Sequence, residues 1–471
     1  MIPAKPDISM AAPLVETPAP TLKARKPSLW IWVPWVWLFI TSTRLLSRWL
    51  TPGGSYDPDL SGSSLDRNVL IILMVLGIFV VSRRANRVKA ILVRNKWLVA
   101  LFLYMMLSVI WSNFPGITFR RWFRSIGTFV MVLMVLTEED PLAAIRAVMR
   151  RVYLIHIPLS IAAIKYFRNI GVAYDWSGTE EMWVGLSIHK NNLGQVAMCS
   201  GLSSAWGMLQ DWPKKKWTLD LLLFVLTMWV LKGSKNSHSS AAILGFIASM
   251  AVLLSLQFIK KRAARAKRIV LTGVIVFALL APVVYLSFEA FDTTPVGVVL
   301  QASGRDMTFT DRTLLWTDVW NNAAKSPVLG VGFGAFWVGR PGFALYPLPN
   351  WSNKTPGWRP GEGHNGFIDV YVDLGAAGVV LLFIVIGSAV ASALNDLQDQ
   401  FEYGRLRLVL LLSVLMNNMA ESSLLNGTQS LWFIFLLVGV SIPPMIRQSR
   451  AKSPARASDG YFQTEPVRMG V

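Results

Sequence analysis

The chain has 471 residues, of which 53% are apolar and only 15% charged, against roughly 25% charged residues in an ordinary soluble domain. Its net charge of +19 would suit nucleic acid, but the basic residues alternate between loops in the manner of the positive-inside rule. The single cysteine, Cys199, lies in an apolar run and excludes disulfides and thiolate metal sites.

Residues 1–28 are Pro-rich and polar and read as a disordered cytoplasmic tail. No small-residue cleavage site follows the first apolar run, so that run reads as an uncleaved span. Apolar stretches near the ~20 residues that cross a bilayer then recur along the chain. They predict an all-α polytopic membrane bundle of about twelve transmembrane helices: 29–46, 68–82, 97–112, 122–137, 151–167, 191–210, 217–232, 239–259, 269–288, 367–391, 407–424 and 428–446. Helices one to nine thus occupy 29–288 and the last three 367–446, with 447–471 a second disordered cytoplasmic tail.

The loop "SRRANRVKAILVRNK" carries six Lys/Arg and no acid, and "KKRAARAKR" also carries six. With "PKKK" at 213–216 and the basic C-terminal tail, all fall on one side, which the charge rule makes the cytoplasm. The opposite face receives 289–366, far longer than any other loop. Loops beyond ~15 residues are uncommon unless functional or disordered. This one is aromatic and Gly-structured, so the chemistry is expected there. His189, His238 and His364 fall on that same side, whereas His156 falls near the inner end of its span.

Within the long loop, Thr310 or Asp311 can cap a helix whose Leu315, Trp316, Val319 and Trp320 share one face. That pattern predicts an amphipathic helix lying on the outer membrane surface. Arg312, in its first turn, either pairs with lipid headgroups or binds a phosphate in the bidentate way that suits arginine. Arg305 in "SGRD" is a second candidate. The "GVGFGAFW" stretch lacks the strand and helix of a dinucleotide fingerprint and reads instead as a tight turn. Phe333, Phe336, Trp337, Phe343, Tyr346, Trp351 and Trp358 suit an interfacial aromatic belt or, second, a platform for sugar rings.

Two polar clusters open spans on the same side: His189, Lys190, Asn191 and Asn192, then Lys232, Ser234, Lys235 and His238. They read as snorkelling interfacial polarity or as an anionic site. His364 is the candidate general base, since histidine titrates near neutrality; the alternative is a histidine that caps the following helix. Asn365, Asp369 and Asp373 follow at i, i+4 and i+8 on one face. Glu362 either orients the imidazole or faces water. Lys165 and Glu421, a base and an acid, are exceptions within apolar runs, both toward the outer side. No H-x-x-H or H-E-x-x-H motif occurs, so no catalytic metal is expected.

The ordered series "DRTLLW", "SPVLGVGFGAF" and "HNGFIDVYVDLGAAGVVLLF" over 303–385 resembles the O-antigen ligase and Wzy-type polysaccharide polymerase superfamily. "SIHKNNLG", "GSKNSHSSAAIL" and "STRLLSRWL" look most like its ExoQ-type exopolysaccharide branch. The resemblance implies a bacterial inner-membrane glycosyltransferase with both termini cytoplasmic and the long loop periplasmic, carrying short helices. It implies metal-independent, inverting transfer of a glycan from a polyprenyl diphosphate, without a cofactor. His364 matches the loop histidine that activates the acceptor hydroxyl, and Arg312 the arginine expected on the diphosphate. Asp311 stands where that segment usually has Gly, and Ser234–Lys235 occupies a usual Ser–Arg position. With Arg305, Lys190, His189 and Asn365, these make up the expected substrate-binding set. Implied partners are the lipid-linked oligosaccharide, the growing glycan acceptor, the lipid bilayer, a chain-length regulator and export machinery, but no nucleic acid. A ligase acting on lipid A core and a lipid-linked glycan transporter are the alternatives.

Overall fold

A computed structural model describes residues 26–50, 63–174, 178–211, 217–234, 238–258, 273, 312–339, 344–354 and 359–443. Helix follows helix through most of this chain. After a 3₁₀ turn at Leu29–Ile31 come α1 (Trp32–Ser42), α2 (Leu46–Leu50), α3 (Ser64–Arg83), α4 (Ala85–Arg94), α5 (Lys96–Leu107), α6 (Pro115–Leu136), α7 (Pro141–Tyr166) and α8 (Arg168–Gly171). The all-α expectation then meets one exception, an antiparallel hairpin of β1 (Val172–Tyr174) and β2 (Glu181–Trp183) with Ala173 opposite Met182. Next are α9 (Lys190–Asp211), α10 (Thr218–Lys232) and α11 (Ser240–Phe258). The chain resumes with α12 (Arg312–Ala323), α13 (Pro349–Lys354), α14 (Gly366–Asp399), α15 (Phe401–Asn418) and α16 (Ser430–Gly439).

Among the described residues, α3, α7, α11 and α14 are long and apolar enough to cross a membrane, and a bent α4–α5 pair raises the number to five. Of the twelve expected spans, four or five therefore meet that length and composition among the described residues. The differences have physical reasons. α6 and α9 are each 22 residues long but polar in their first turns, whereas α16 has only 10 residues. The expected ninth span, 269–288, lies outside the described residues except for Gly273, as does the tail 447–471. The basic stretch read as a loop at 82–96 is largely α4, a helix bent by 88° from α5. Its charges recur among apolar residues at helical spacing, which span counting mistakes for a loop. Large apolar side chains stay exposed on α3 (Ile72, Val75), α10 (Leu222, Val225), α11 (Leu244, Ile247) and α14 (Val380, Phe383). Contiguous apolar faces of this kind suit a bilayer rather than water.

α16 is apolar all round and every one of its residues is buried, the pattern of a central helix. α15 lies beside it, with most of its length buried as well. At one end of the bundle, where α4 carries its arginines, Arg84 pairs with Glu138, Arg146 with Asp211 and Asp220, Arg150 with Asp220, and Arg407 with Asp396. Ser28 joins this end through Glu138, its backbone N–H at 3.0 Å and its hydroxyl at 2.7 Å.

The opposite end carries a second, smaller core. Leu315, Trp316, Val319 and Ala323 of α12 pack with Phe336, Trp337, Tyr346, Leu348 and Trp351, and with Ile368 and Val372 of α14. This corrects two expectations: the apolar face of α12 packs within the loop rather than on the membrane, and the aromatic residues are core. Only Trp320 of the expected face is exposed, at 48%; Phe343 and Trp358 lie outside the described residues. Asp318 ties α13 to α12, accepting from Asn350 at 2.7 Å and from the Trp351 N–H at 3.0 Å.

α14 is interrupted at Gly375, whose φ of 64° and ψ of −169° no helix contains. The glycine-rich stretch 326–334 fills the break. Val331 donates to the Val372 carbonyl (3.0 Å) and Gly332 to that of Asp373 (2.9 Å), while Ala376 donates to Pro327 (2.9 Å). Asp373 accepts from the N–H groups of Gly334 (2.8 Å) and Phe336 (3.3 Å). Backbone groups freed by the break are thus satisfied by the loop, as burial requires. The close approach explains the glycines: a Cβ at Gly330 would collide with the Asp373 backbone.

Candidate functional site

The first half of α14 and the turn after α15 meet beside the second core. Asn365, rather than His364, caps α14, its side-chain oxygen accepting from the Phe367 (3.0 Å) and Ile368 (3.3 Å) N–H groups. Its own N–H donates to Ser422 Oγ (3.1 Å), and the Gly366 N–H donates to the Glu421 carbonyl (3.1 Å). His364 therefore has no capping duty. Its φ of 51° is left-handed and unusual for a residue with a Cβ. The preceding turn is pinned from below: Asp369 accepts from the Gly363 N–H (2.9 Å) and from the Trp337 indole (3.0 Å).

This twist brings His364 to Glu421. The imidazole Nδ1 lies 3.5 Å from one Glu421 oxygen and 3.5 Å from Glu362. At that distance Nδ1 has no full hydrogen bond, although it is buried. The other Glu421 oxygen accepts from Arg312 Nη2 (3.0 Å) and from the Asn191 amide (2.7 Å), and Arg312 Nη1 also donates to the Ala420 carbonyl (2.5 Å). One carboxylate thus joins α9, α12 and the turn before α14. The Glu421 side chain is 6% exposed and that of Arg312 16%, whereas His364 at 25% and Glu362 at 32% form the side of the cluster open to solvent.

The two glutamates are driven apart electrostatically. Burial raises the pKa of Glu421, but the neighbouring His364 and the Arg312 guanidinium outweigh it and leave the group below its ordinary value. For Glu362, burial is reinforced by Glu421 and Asp369 and only partly opposed by Arg312, so its pKa is pushed well up. Neighbouring carboxyls with separated titrations are a common mark of acid–base sites. The donor atoms of Glu362, His364 and Glu421 also lie within 4.8 Å of one another, a spacing that could hold a cation. Arg312 already places a fixed positive charge on Glu421.

Of the expected residues, the structure gathers His364, Asn365 and Arg312, with His189 and Lys190 at the start of α9. His189 is exposed, and its Nδ1 accepts weakly from the Asn191 N–H at 3.4 Å. Arg305 and Lys235 lie outside the described residues. Ser234 donates to the Glu181 carbonyl (2.5 Å) on the hairpin. His156 is corrected: α7 begins ten residues earlier than expected, at Pro141, so His156 sits mid-helix rather than near an end. It is fully buried, with Nε2 3.0 Å from the Ser42 carbonyl. Glu421 received no role from the sequence. Its signal was an acid in a polar interruption, "NNMAESS", between two apolar helices.

The fold and site together define a helical membrane protein with a histidine–carboxylate–arginine cluster at one end of the bundle. Residues 221–383 match the family model described as O-antigen ligase. The chain is also 23% identical over 310 residues to the exopolysaccharide production protein ExoQ of Rhizobium meliloti (strain 1021), a match covering 64% of this chain and 66% of that protein, just under two thirds. The resemblance read from the sequence is thereby shown, on the segment that carries α10, α11, α12 and His364.

Proposed function

We propose that this chain is an inner-membrane glycosyltransferase that polymerises polyprenyl-diphosphate-linked oligosaccharide repeats into exopolysaccharide, at the outer face and by inversion. Glu421 carries the reading, because one carboxylate binds the candidate diphosphate ligand Arg312 at 3.0 Å and faces the candidate base His364 at 3.5 Å. With Nδ1 facing Glu421, His364 keeps Nε2 for the acceptor hydroxyl. Nε2 takes the hydroxyl proton as the acceptor oxygen bonds to the anomeric carbon. The bond from that carbon to the diphosphate oxygen breaks, and the lipid diphosphate leaves with its electron pair. Glu421 stabilises the imidazolium, as a buried acid does behind a catalytic histidine. Arg312 sits where it can meet charge on the leaving diphosphate, the kind of preorganised stabilisation that dominates many transfers. On this reading the end carrying α4 faces the cytoplasm, and 289–366 is periplasmic.

The test is transfer by the purified protein, reconstituted with lipid-linked oligosaccharide in the outer leaflet and with a chelator present. Activity is expected to persist under chelation, and chelator-sensitive transfer would instead assign the Glu362–His364–Glu421 group to a metal. Glu421→Gln should lower turnover about a hundredfold and displace the acid limb of the rate–pH profile to lower pH. A uniform loss with an unmoved profile would reduce Glu421 to a structural residue.

The family description favours a second reading, a ligase that transfers the glycan to lipid A core. The two differ in acceptor alone. Loss of a polymerase should leave single repeat units in the cell, whereas loss of a ligase should leave long chains unattached.

A further inference from the structure

His364 holds a backbone conformation that a residue with a Cβ rarely adopts, with φ at 51°. Such a torsion persists only where the surrounding structure fixes it. A peptide unit is planar, so the carbonyl of one residue and the N–H of the next turn together. Two peptide planes flank the His364 Cα, and each is tied. The plane before it is held through the Gly363 carbonyl, which accepts from the Trp316 indole at 2.8 Å. The plane after it is held through the Asn365 N–H, which donates to Ser422 Oγ at 3.1 Å. One plane further back, the Gly363 N–H donates to both oxygens of Asp369, at 2.9 and 3.3 Å.

These ties come from the elements that carry the rest of the site. Trp316 stands four residues after Arg312 on α12, so the two share one face of that helix. Arg312 reaches Glu421 and the Ala420 carbonyl, while Trp316 reaches Gly363. One helix thus holds the turn that presents the base and the turn that presents its carboxylate. The anchors are themselves fixed. Trp316 is 9% exposed and packs in the second core. The Asp369 carboxylate accepts from the Trp337 indole at 3.0 Å, and that ring is buried too. The fit is close, since a Cβ at Gly363 would lie 2.6 Å from Asp369 Oδ1.

We propose that Trp316 and Asp369 are positioning residues for sugar transfer, which fix the His364 torsion through the peptide groups of Gly363 and keep its imidazole in register with Arg312. The inference rests on the transferase reading with His364 as base. Both side chains act through that base, and Trp316 couples it to the helix that carries the cation.

Turnover per folded molecule and the donor KM, measured on the full-length protein in nanodiscs, test it. Trp316→Phe keeps a ring in the core and removes the indole donor. It should lower kcat about tenfold and leave the donor KM within about twofold, because a slightly misplaced reacting group loses rate rather than binding. Asp369→Ala should do the same, and it decides the matter should the first variant not fold. Asp369→Asn keeps an oxygen for the Gly363 N–H and should retain most of the turnover. In a His364→Ala background, Trp316→Phe should cost nothing further, since a residue that acts through the base has nothing left to position.

Parental kcat in folded Trp316→Phe or Asp369→Ala overturns the proposal and leaves these side chains to the fold alone. So does a raised KM at unchanged kcat, which would place them on the substrate. Equal losses in Asp369→Asn and Asp369→Ala also overturn it, by making charge the cause. The two readings fail separately. Transfer undiminished by His364→Ala removes the base itself, whereas its loss there, beside parental Trp316→Phe and Asp369→Ala, removes only the positioning assignment.

Discussion

α15 has a buried ion pair near each end, and the two are built differently. Near its start, Arg407 is fully buried against Asp396 and also reaches Ser392 Oγ (3.0 Å) and the carbonyls of Val438 (2.6 Å) and Gly439 (3.0 Å). Just past its end, about 17 Å along the helix from Arg407, Glu421 holds Arg312 and Asn191 but meets His364 only at 3.5 Å. The first cluster has its donors aimed at acceptors within the protein and clamps α14, α15 and α16 together. The second leaves a buried nitrogen without a full partner and a quarter of the imidazole exposed. Saturated polar networks hold folds, whereas a strained, incompletely bonded one suits a site that awaits a substrate.

Substitution at each end should break this contrast in opposite ways. His364→Ala should cost the largest factor, roughly 10²–10⁴ in transfer rate, with a thermal midpoint in detergent close to that of the parent. Near-parental activity at equal expression would remove His364 as the base. Arg407→Met should do the reverse, costing about 3–5 kcal/mol of stability by stranding Asp396. Pairing it with Asp396→Leu should recover much of that loss, and no recovery would mean that the carbonyl contacts, not the ion pair, dominate.

Smaller effects sharpen the comparison. Asn365→Ala removes the α14 cap and should cost about 1 kcal/mol, while transfer measured per folded molecule stays within a few fold. A collapse of activity in folded protein would give Asn365 a direct place on the substrate. The mildest effect is at Glu362. Its raised pKa means that the folded state holds the proton more tightly than the unfolded chain, so stability falls as pH rises from the ordinary carboxylate range through the raised value. Glu362→Gln should flatten that fall, matching the parent near about pH 4 and exceeding its thermal midpoint near about pH 8. A parallel pair of curves would deny the shift.

Uniformly apolar helices were the most legible parts of this chain. α11 runs Ser240–Phe258 against an expected 239–259, and α14 starts at Gly366, one residue from expectation. α14's extension to Asp399 was hidden because "NDLQD" is polar, and its break because a lone glycine inside an apolar run is a weak signal. The aromatic residues of the long loop were visible, but exposure at a bilayer and burial in a small core leave the same composition. At the site, residue types could be read and partners could not. His364 and Arg312 stood out as a base and a cation, whereas Glu421 acquires meaning only through contacts 57, 109 and 230 residues away in the chain. Such pairings depend on how the helices assemble, which periodicity along the chain does not encode.

The chain position of Glu421 also orders events during synthesis. Asn191, Arg312 and His364 leave the ribosome well before the glutamate that gathers them, and α14 can be threaded into the bilayer while its histidine still lacks that carboxylate. The histidine–carboxylate–arginine cluster is complete only when the turn between α15 and α16 has been made. A chain stalled or clipped after α14 would carry His364 and Arg312 yet lack the carboxylate that joins them.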